Sequence, residues 1–211
     1  MIKIKVCGMK DPVNVKEISY AWPDYLGFIF WPGSPRYVGD HPPLSLFQNV
    51  PPDIVKAGVF VNENQENILD IAQRAGLGMI QLHGNESPEY CWGLMSSGLE
   101  IVKSFNIGEN FDFDRIKSFL TCCDYFLFDE KSEKPGGSGR KFKWDQLTDY
   151  RLEKPFFLSG GIGPEDAGLI KEMDNNGLFA VDINSRFEIS PGIKDVAMVK
   201  GFSAKLKNSQ I

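Results

Sequence analysis

The sequence predicts a single-domain (β/α)8 barrel spanning residues 1–211, and three observations predict it. Eight short apolar runs alternate with polar, helix-capable segments along the chain. Several runs are nearly continuous in Val, Ile, Leu and Phe, as expected for parallel strands covered on one side by helices. Residues able to do chemistry follow runs 1, 2, 6, 7 and 8. An open doubly wound sheet gathers its site at one switch point, whereas a closed barrel brings every strand's C-terminal end to one mouth. At about 26 residues per unit the barrel is compact but feasible.

Strands are expected at Lys3–Val6, Tyr25–Phe30, Ile54–Phe60, Met79–Leu82, Glu100–Ser104, Tyr125–Asp129, Phe156–Ser159 and Ala180–Ile183. Between the third and fourth, Asn62-Glu63-Asn64-Gln65 offers an N-cap with Gln three residues on, the spacing of a capping box. Ile68, Ile71, Ala72 and Ala75 share one helical face, and Gly76 supplies a left-handed stop. The segment around strand 5 and its helix is weakly patterned. Glu130 to Lys141, EKSEKPGGSGRK, would leave only two strands behind it as a domain boundary, so it is expected to be a mobile lid after strand 6. Gly163-Pro164-Glu165-Asp166 places Pro at a first helical position with acids in the first turn. Val196, Val199, Phe202 and Leu206 make the stripe of a closing helix.

Composition narrows the function classes. The chain carries 42% hydrophobic and 24% charged residues and a formal net charge of -5, with its basic residues scattered. That balance argues against nucleic acid as the main partner while permitting a local anion cradle. No apolar run reaches the length of a membrane span, and the alternating N-terminus Met1-Ile2-Lys3-Ile4-Lys5-Val6 is no signal peptide. The four cysteines form no Cys-x-x-Cys pair, and with only two histidines a zinc cluster is not expected. Cys91, Cys122 and Cys123 read as small buried apolar side chains in a reducing cytoplasm. No long apolar stripe is left unassigned, so a monomer is the default.

Four features carry chemistry. Ser159-Gly160-Gly161-Ile162-Gly163-Pro164 is a strand, a Gly-Gly turn and a helix start, and Asp182-Ile183-Asn184-Ser185 follows strand 8. Barrels frequently hold phosphate between the loops after strands 7 and 8, where amides approach the anion closely. Cys7 ends strand 1 beside Gly8, and a thiol needs only a modest shift to serve as a base near neutral pH. Asp129 ends an apolar strand, where partial desolvation and a nearby phosphate favour the protonated form a general acid requires. Arg36 lies in a loop stiffened by Pro32 and Pro35, and its planar fork suits a carboxylate. His83, after strand 4, either lines the site or is a satisfied structural histidine.

Taken in order, Lys5-Val6-Cys7-Gly8, Leu26-Gly27-Phe28-Ile29-Phe30, Ser34-Pro35-Arg36-Tyr37-Val38 and Gly58-Val59-Phe60-Val61-Asn62 resemble the phosphoribosylanthranilate isomerases of tryptophan biosynthesis. So do Gln81-Leu82-His83-Gly84, Pro135-Gly136-Gly137-Ser138-Gly139, Leu158-Ser159-Gly160-Gly161-Ile162 and Val181-Asp182-Ile183-Asn184-Ser185, followed by Glu188 and Ser190-Pro191-Gly192-Ile193-Lys194-Asp195. The resemblance implies an Amadori rearrangement of a phosphosugar without metal or organic cofactor. It implies Asp129 as acid, Cys7 as base and Arg36 on the substrate carboxylate, with Asp182 beside the bridging amine. Gly160, Gly161, Asn184 and Ser185 would hold the phosphate, with His83 and Gly137 completing the substrate site. Two positions depart from the family pattern. Gly33 stands where a larger, commonly basic residue is frequent. Arg186 and Phe187 stand where a Gly usually follows the phosphate-binding pair, so that Arg186 either distorts the turn or adds a cation. The related histidine-pathway isomerase has an aspartate at the strand 1 position, against which Cys7 speaks. A catalytically silent phosphosugar-binding barrel is the rival from another class.

Overall fold

In the computed structural model, which describes residues 1–108, 111–130, 144–173 and 177–207, eight parallel strands close into a barrel in sequential order. They are β1 Lys3–Val6, β2 Tyr25–Ile29, β3 Val55–Phe60, β4 Met79–Leu82, β5 Glu100–Ile107, β6 Tyr125–Glu130, β7 Phe156–Leu158 and β8 Leu178–Ile183. Every strand stands where its apolar run predicts, with ends differing by up to three residues. Closure is made by β1 against β8, with Lys5 opposite Asp182 and Val6 opposite Ile183.

The period-two alternation of strands sorts the side chains. One set, Tyr25, Ala57, Met79, Val102, Leu127, Phe157 and Ala180, packs together as the barrel's inner core. Their neighbours, such as Ile4, Val6, Leu26, Phe28, Ile80, Phe126, Phe128 and Val181, form the larger core under the helices. Tyr25 and Phe157 meet edge to face at 5.5 Å, and Phe157 meets Tyr125 in the same way. A register shift lets Phe156 pair with Leu178 and Phe157 with Ala180, and the intervening Phe179 stacks on Tyr125 at 4.5 Å.

Among the described residues, the outer layer is thinner than eight full helices. It comprises α1 Pro12–Ser19, α2 Ser45–Gln48, α3 Gln65–Ala75, α4 Pro88–Met95, α5 Ala167–Glu172 and α6 Val196–Lys207. The weakly patterned segment after β5 forms a 3-10 helix over Phe113–Phe119, and another covers Trp144–Asp149. Short covers of this kind are how so few residues complete the fold. After β8, a 3-10 turn over Ser185–Phe187 leads into a hairpin of β9 Glu188–Ser190 and β10 Ile193–Lys194.

Two expected helix starts are corrected. The cap of α3 is Asn64, whose side chain accepts from the Glu66 amide, while Gln65 donates to the Tyr90 carbonyl. Asn62 has a positive φ of 51° and accepts from the Asn85 amide instead, so the capping-box spacing is coincidental. Helix α5 starts at Ala167, three residues after Pro164, because the Asp166 carboxylate turns back to the Gly163 amide at 2.8 Å. Gly76 ends α3 in the left-handed conformation, and Val199, Phe202 and Leu206 bury the face of α6 as expected. Cys91, Cys122 and Cys123 are buried free thiols. Among the described residues, no helix is long and apolar enough to cross a membrane. The expected lid falls on residues 131–141, outside the described residues.

A buried ion pair braces the rim after β4. Lys103 donates to Glu86 at 3.0 Å and to the Gly84 carbonyl at 2.8 Å, while Glu86 accepts from the Asn62 and Gly84 amides. Burial pushes the Glu86 carboxyl up, but Lys103 and the Asn62 amide outweigh it and leave it below the ordinary carboxylate value. The pair therefore stabilises the fold above the titration of a free glutamate and loses that contribution as pH falls through Glu86's depressed value. Lys103→Met, which leaves the carboxylate buried without its cation, is expected to cost about 3 kcal/mol in urea unfolding near neutral pH. A loss under about 0.5 kcal/mol would show that the pair braces nothing.

Candidate active site

The alternation that fills the inner core also builds the site. Moving up each strand by two residues from that core leads from Ala180 to Asp182 and Asn184, from Met79 to Gln81 and His83, and from Leu127 to Asp129. On β1, Lys5 and Cys7 lie in the same phase. The Cys7 amide donates to the Ile183 carbonyl at 2.9 Å, and the His83 amide donates to Phe60, so both residues are held by the barrel's own ladder.

Cys7 is buried, and its thiol occupies the space a side chain at position 27 would fill. A Cβ built on Gly27 would stand 2.8 Å from Cys7 Sγ. Burial pushes the thiol above its ordinary value of 9.0, with Lys5 pulling it back and Asp182 adding to the rise. Lys5 lies wholly inside the barrel and donates to Asp182 Oδ2 at 3.0 Å and to Gln81 Oε1 at 2.6 Å. Burial opposes its charge, but Asp182 and Cys7 outweigh burial and hold the ammonium above its usual value. Burial likewise raises the Asp182 carboxyl against the pull of Lys5. Asp182 Oδ1 is buried without a hydrogen-bond partner among the described residues.

Gln81 continues the chain of contacts. Its amide nitrogen is 2.8 Å from His83 Nδ1, and His83 Nε2 stands 3.5 Å from Asp129 Oδ2. Cys7 and Asp129, from β1 and β6, thus face one mouth and are bridged by Lys5, Gln81 and His83. The His83 and Asp129 side chains are 28% and 27% exposed at that mouth.

A second charged group lies beside the first. Arg36 is buried and holds Glu188 with two parallel bonds, Nε to Oε1 at 2.8 Å and Nη2 to Oε2 at 2.7 Å. Its loop is pinned where Tyr37 bridges to Ile29 and the Val38 amide donates to the Ile29 carbonyl. Fully buried Lys194 donates to Glu188 at 2.7 Å and to Asn184 Oδ1 at 2.6 Å. Burial pulls Lys194 down to about 8 despite Glu188 beside it. Two cations thus share one carboxylate. Arg36 Nη1 makes no hydrogen bond among the described residues.

The phosphate-side residues are only partly as expected. Gly160 and Gly161 have φ of 91° and 67°, the left-handed conformations that glycine makes accessible. The Gly163 amide, by contrast, is occupied by Asp166, and the start of α5 lies farther along. Asn184 directs its side-chain oxygen to Lys194 rather than to the loop after β7, and Ser185 is exposed. Arg186 does not need a positive φ, so it replaces a glycine without backbone strain. It pairs with Glu165 and donates to the Gly161 carbonyl at 3.2 Å, tying the loops after β7 and β8 together as a cation on that rim. At Gly33, a Cβ would meet the Trp31 ring at 2.4 Å. Gly137 lies outside the described residues.

Sequence reasoning missed Lys5, Gln81, Gly27, Glu188 and Lys194 as contributors. Lys5 and Gln81 had a signal: each lies two residues before a candidate on the same strand, so each faces the same way. Glu188 and Lys194 lie beyond the last strand, where no periodicity points inward.

Comparison with known proteins agrees with this architecture. A family model described as N-(5'phosphoribosyl)anthranilate (PRA) isomerase matches residues 4–205. The N-(5'-phosphoribosyl)anthranilate isomerase of Phocaeicola vulgatus is 44% identical over 204 residues, covering 97% of each chain. The crystal structure of phosphoribosyl anthranilate isomerase from Thermotoga maritima superposes with a TM-score of 0.84 at 32% identity, covering 98% of this chain and 99% of that one. A phosphoribosyl anthranilate isomerase solved in complex with reduced 1-(o-carboxyphenylamino)-1-deoxyribulose 5-phosphate gives a TM-score of 0.81 at 29% identity, with 98% and 99% covered. The chain belongs to the N-(5'-phosphoribosyl)anthranilate isomerase family.

Proposed function

We propose that this chain converts N-(5'-phosphoribosyl)anthranilate to 1-(2-carboxyphenylamino)-1-deoxyribulose 5-phosphate by an Amadori rearrangement, with Asp129 as acid and Cys7 as base. One observation carries the assignment of roles: a thiol and a carboxyl group on opposite strands face one barrel mouth, linked through Lys5, Gln81 and His83. The reaction needs one proton delivered to the ring oxygen and another taken from C2', and two groups across one mouth can serve both without the substrate turning over.

Asp129 protonates the ribose ring oxygen, and the ring opens to a protonated Schiff base at C1'. Cys7, as thiolate, removes the proton from C2', and the resulting enolamine tautomerises to the ketone. Lys5 and Lys194 favour the thiolate electrostatically, each opposing the effect of burial. Asp182 Oδ1 is an acceptor suited to the bridging amine's N–H. Arg36 and Lys194, with only Glu188 between them, leave an excess of positive charge that a substrate carboxylate would neutralise through Arg36 Nη1. Amides of Gly160 and Gly161, with Arg186 above them, suit the phosphate. Asn184 contributes through Lys194, Ser185 contributes at the rim, and Gly137 is taken as a further substrate contact from the resemblance alone.

The same reading takes residues 1–211 as one domain, working as a monomer in the cytoplasm. Four free buried thiols support the reducing compartment. Complementation of a tryptophan auxotroph lacking this step tests the activity directly.

Cys7→Ala and Asp129→Asn are each expected to lower kcat by about 10²–10⁴-fold with unchanged circular dichroism. Near-normal turnover in either variant removes that residue from the mechanism. Arg36→Met is expected to raise KM about 10- to 100-fold with little change in kcat, since a carboxylate clamp holds ground and transition states alike. An unchanged KM would refute the clamp. The thiol's raised titration puts its base form at high pH, so kcat should climb through pH 9; Lys194 is cationic only below about 8, so KM should rise above that pH. A kcat flat from pH 6 to 10, followed by loss of substrate fluorescence, would contradict the thiolate base.

A further inference from the structure

The buried chain from Lys5 to Asp129 fixes more than position, because two of its links have only one chemical solution. Lys5 is donor-only, so the Gln81 atom that meets it at 2.6 Å must be the amide oxygen. The Gln81 NH2 group then faces His83 Nδ1 at 2.8 Å, and NH2 can only donate. Nδ1 must therefore present its lone pair. A neutral imidazole accepting at Nδ1 carries its proton on Nε2, the nitrogen 3.5 Å from Asp129 Oδ2. A doubly protonated ring would set N–H against N–H at Gln81.

We infer that Gln81 is a positioning residue that transmits the fixed polarity of Lys5 to His83, locking the ring as its Nε2–H tautomer so that it directs the acid proton of Asp129. This rests on the proposed role of Asp129. With His83 N–H aimed at Oδ2, the proton that Asp129 gives up sits on the other carboxyl oxygen. That proton passes to the ribose ring oxygen, and the C1'–O bond breaks with its electron pair going to the oxygen, which becomes a hydroxyl. The lone pair of the bridging nitrogen forms the C=N bond, leaving an iminium on the substrate and a carboxylate on Asp129. The His83 N–H then faces a full negative charge, and the 3.5 Å contact tightens as that charge develops. An interaction that grows only along the reaction lowers the barrier without strengthening ground-state binding, so its loss falls on kcat rather than KM.

Among the described residues, the charged groups facing the ring are Asp129 from β6 and Asp182 from β8, with Lys5 from β1 behind Gln81. Both carboxylates attract a ring proton without choosing which nitrogen carries the single one. Gln81 makes that choice. A glutamate there would still accept from Lys5 but would also accept from Nδ1, turning the ring over to Nδ1–H or to imidazolium.

The test is long-range 1H–15N correlation NMR on the 15N-labelled full chain at neutral pH without substrate. His41 and His83 are the only histidines, and His41→Gln assigns the spectrum. The wild-type His83 is expected in the neutral Nε2–H pattern. Gln81→Glu is expected to convert it to Nδ1–H or to the charged form and to lower kcat about 10- to 100-fold, with KM within about twofold. His83→Gln, which keeps a donor, should retain more kcat than His83→Leu. A wild-type ring in the Nδ1–H or charged state overturns the lock without any variant being made. Equal kcat in His83→Gln and His83→Leu, or wild-type kcat in folded Gln81→Glu, overturns it too. The tautomer is read without turnover, so a ring in the expected state in a protein that does not isomerise the substrate would sink the proposed reaction and leave the lock standing.

Discussion

The barrel mouth depends on the ion pair between Lys5 and Asp182. These residues face each other across the seam where the first strand meets the last, so the contact that closes the barrel also sets a buried ammonium among the candidate site residues. An ammonium taken out of water has to be surrounded by acceptors. Asp182 supplies one and the Gln81 carbonyl oxygen another. Everything above follows in sequence: the orientation of Gln81, the face His83 turns to Asp129, and the electrostatic balance of the Cys7 thiol.

The charge cluster around Glu188 is supported from outside the barrel. Asn14 of α1 bonds both backbone groups of Lys194, holding β10 so that the ammonium reaches inward. The Gly192 amide fixes Glu188 from the turn of the same hairpin. This hairpin makes up for what β8 alone cannot supply, because a strand offers only every second residue to the mouth. Arg186 adds a further tie on the phosphate side. Its Gly161 and Glu165 contacts link the loops after β7 and β8.

The fold was legible because each strand writes its identity in three to eight residues of largely apolar sequence, and a closed barrel has little freedom in how eight such strands are ordered. Cys7 and Asp129 were legible for the same reason, as polar residues ending apolar runs. Asn62 and Pro164 misled because capping patterns are local and tertiary contacts overrode them: Asn85 claimed the Asn62 side chain, and Asp166 claimed the Gly163 amide. The coupling of Arg36 to Glu188 joins residues 152 positions apart, and no spacing rule reaches that far. The glycine at position 27 showed a family pattern but not its cause, which is the volume of the Cys7 thiol.

Buried charge at the mouth is hard to justify by stability. A desolvated pair such as Lys5–Asp182 gains about as much as it loses, and a well-packed apolar pair of similar volume would serve the fold as well or better. At the other end, Tyr25, Tyr125, Phe157 and Phe179 fill the interior with aromatic contacts, with Lys3 over the Tyr25 and Phe179 rings and Glu100 beside the Tyr125 hydroxyl. The two ends therefore answer to different demands along the same strands, largely aromatic below and a hydrogen-bonded polar chain above. That division lets Lys5 remain where an aliphatic side chain would pack better. A group that can only donate fixes this polarity of Gln81, and through it the face that His83 shows to Asp129.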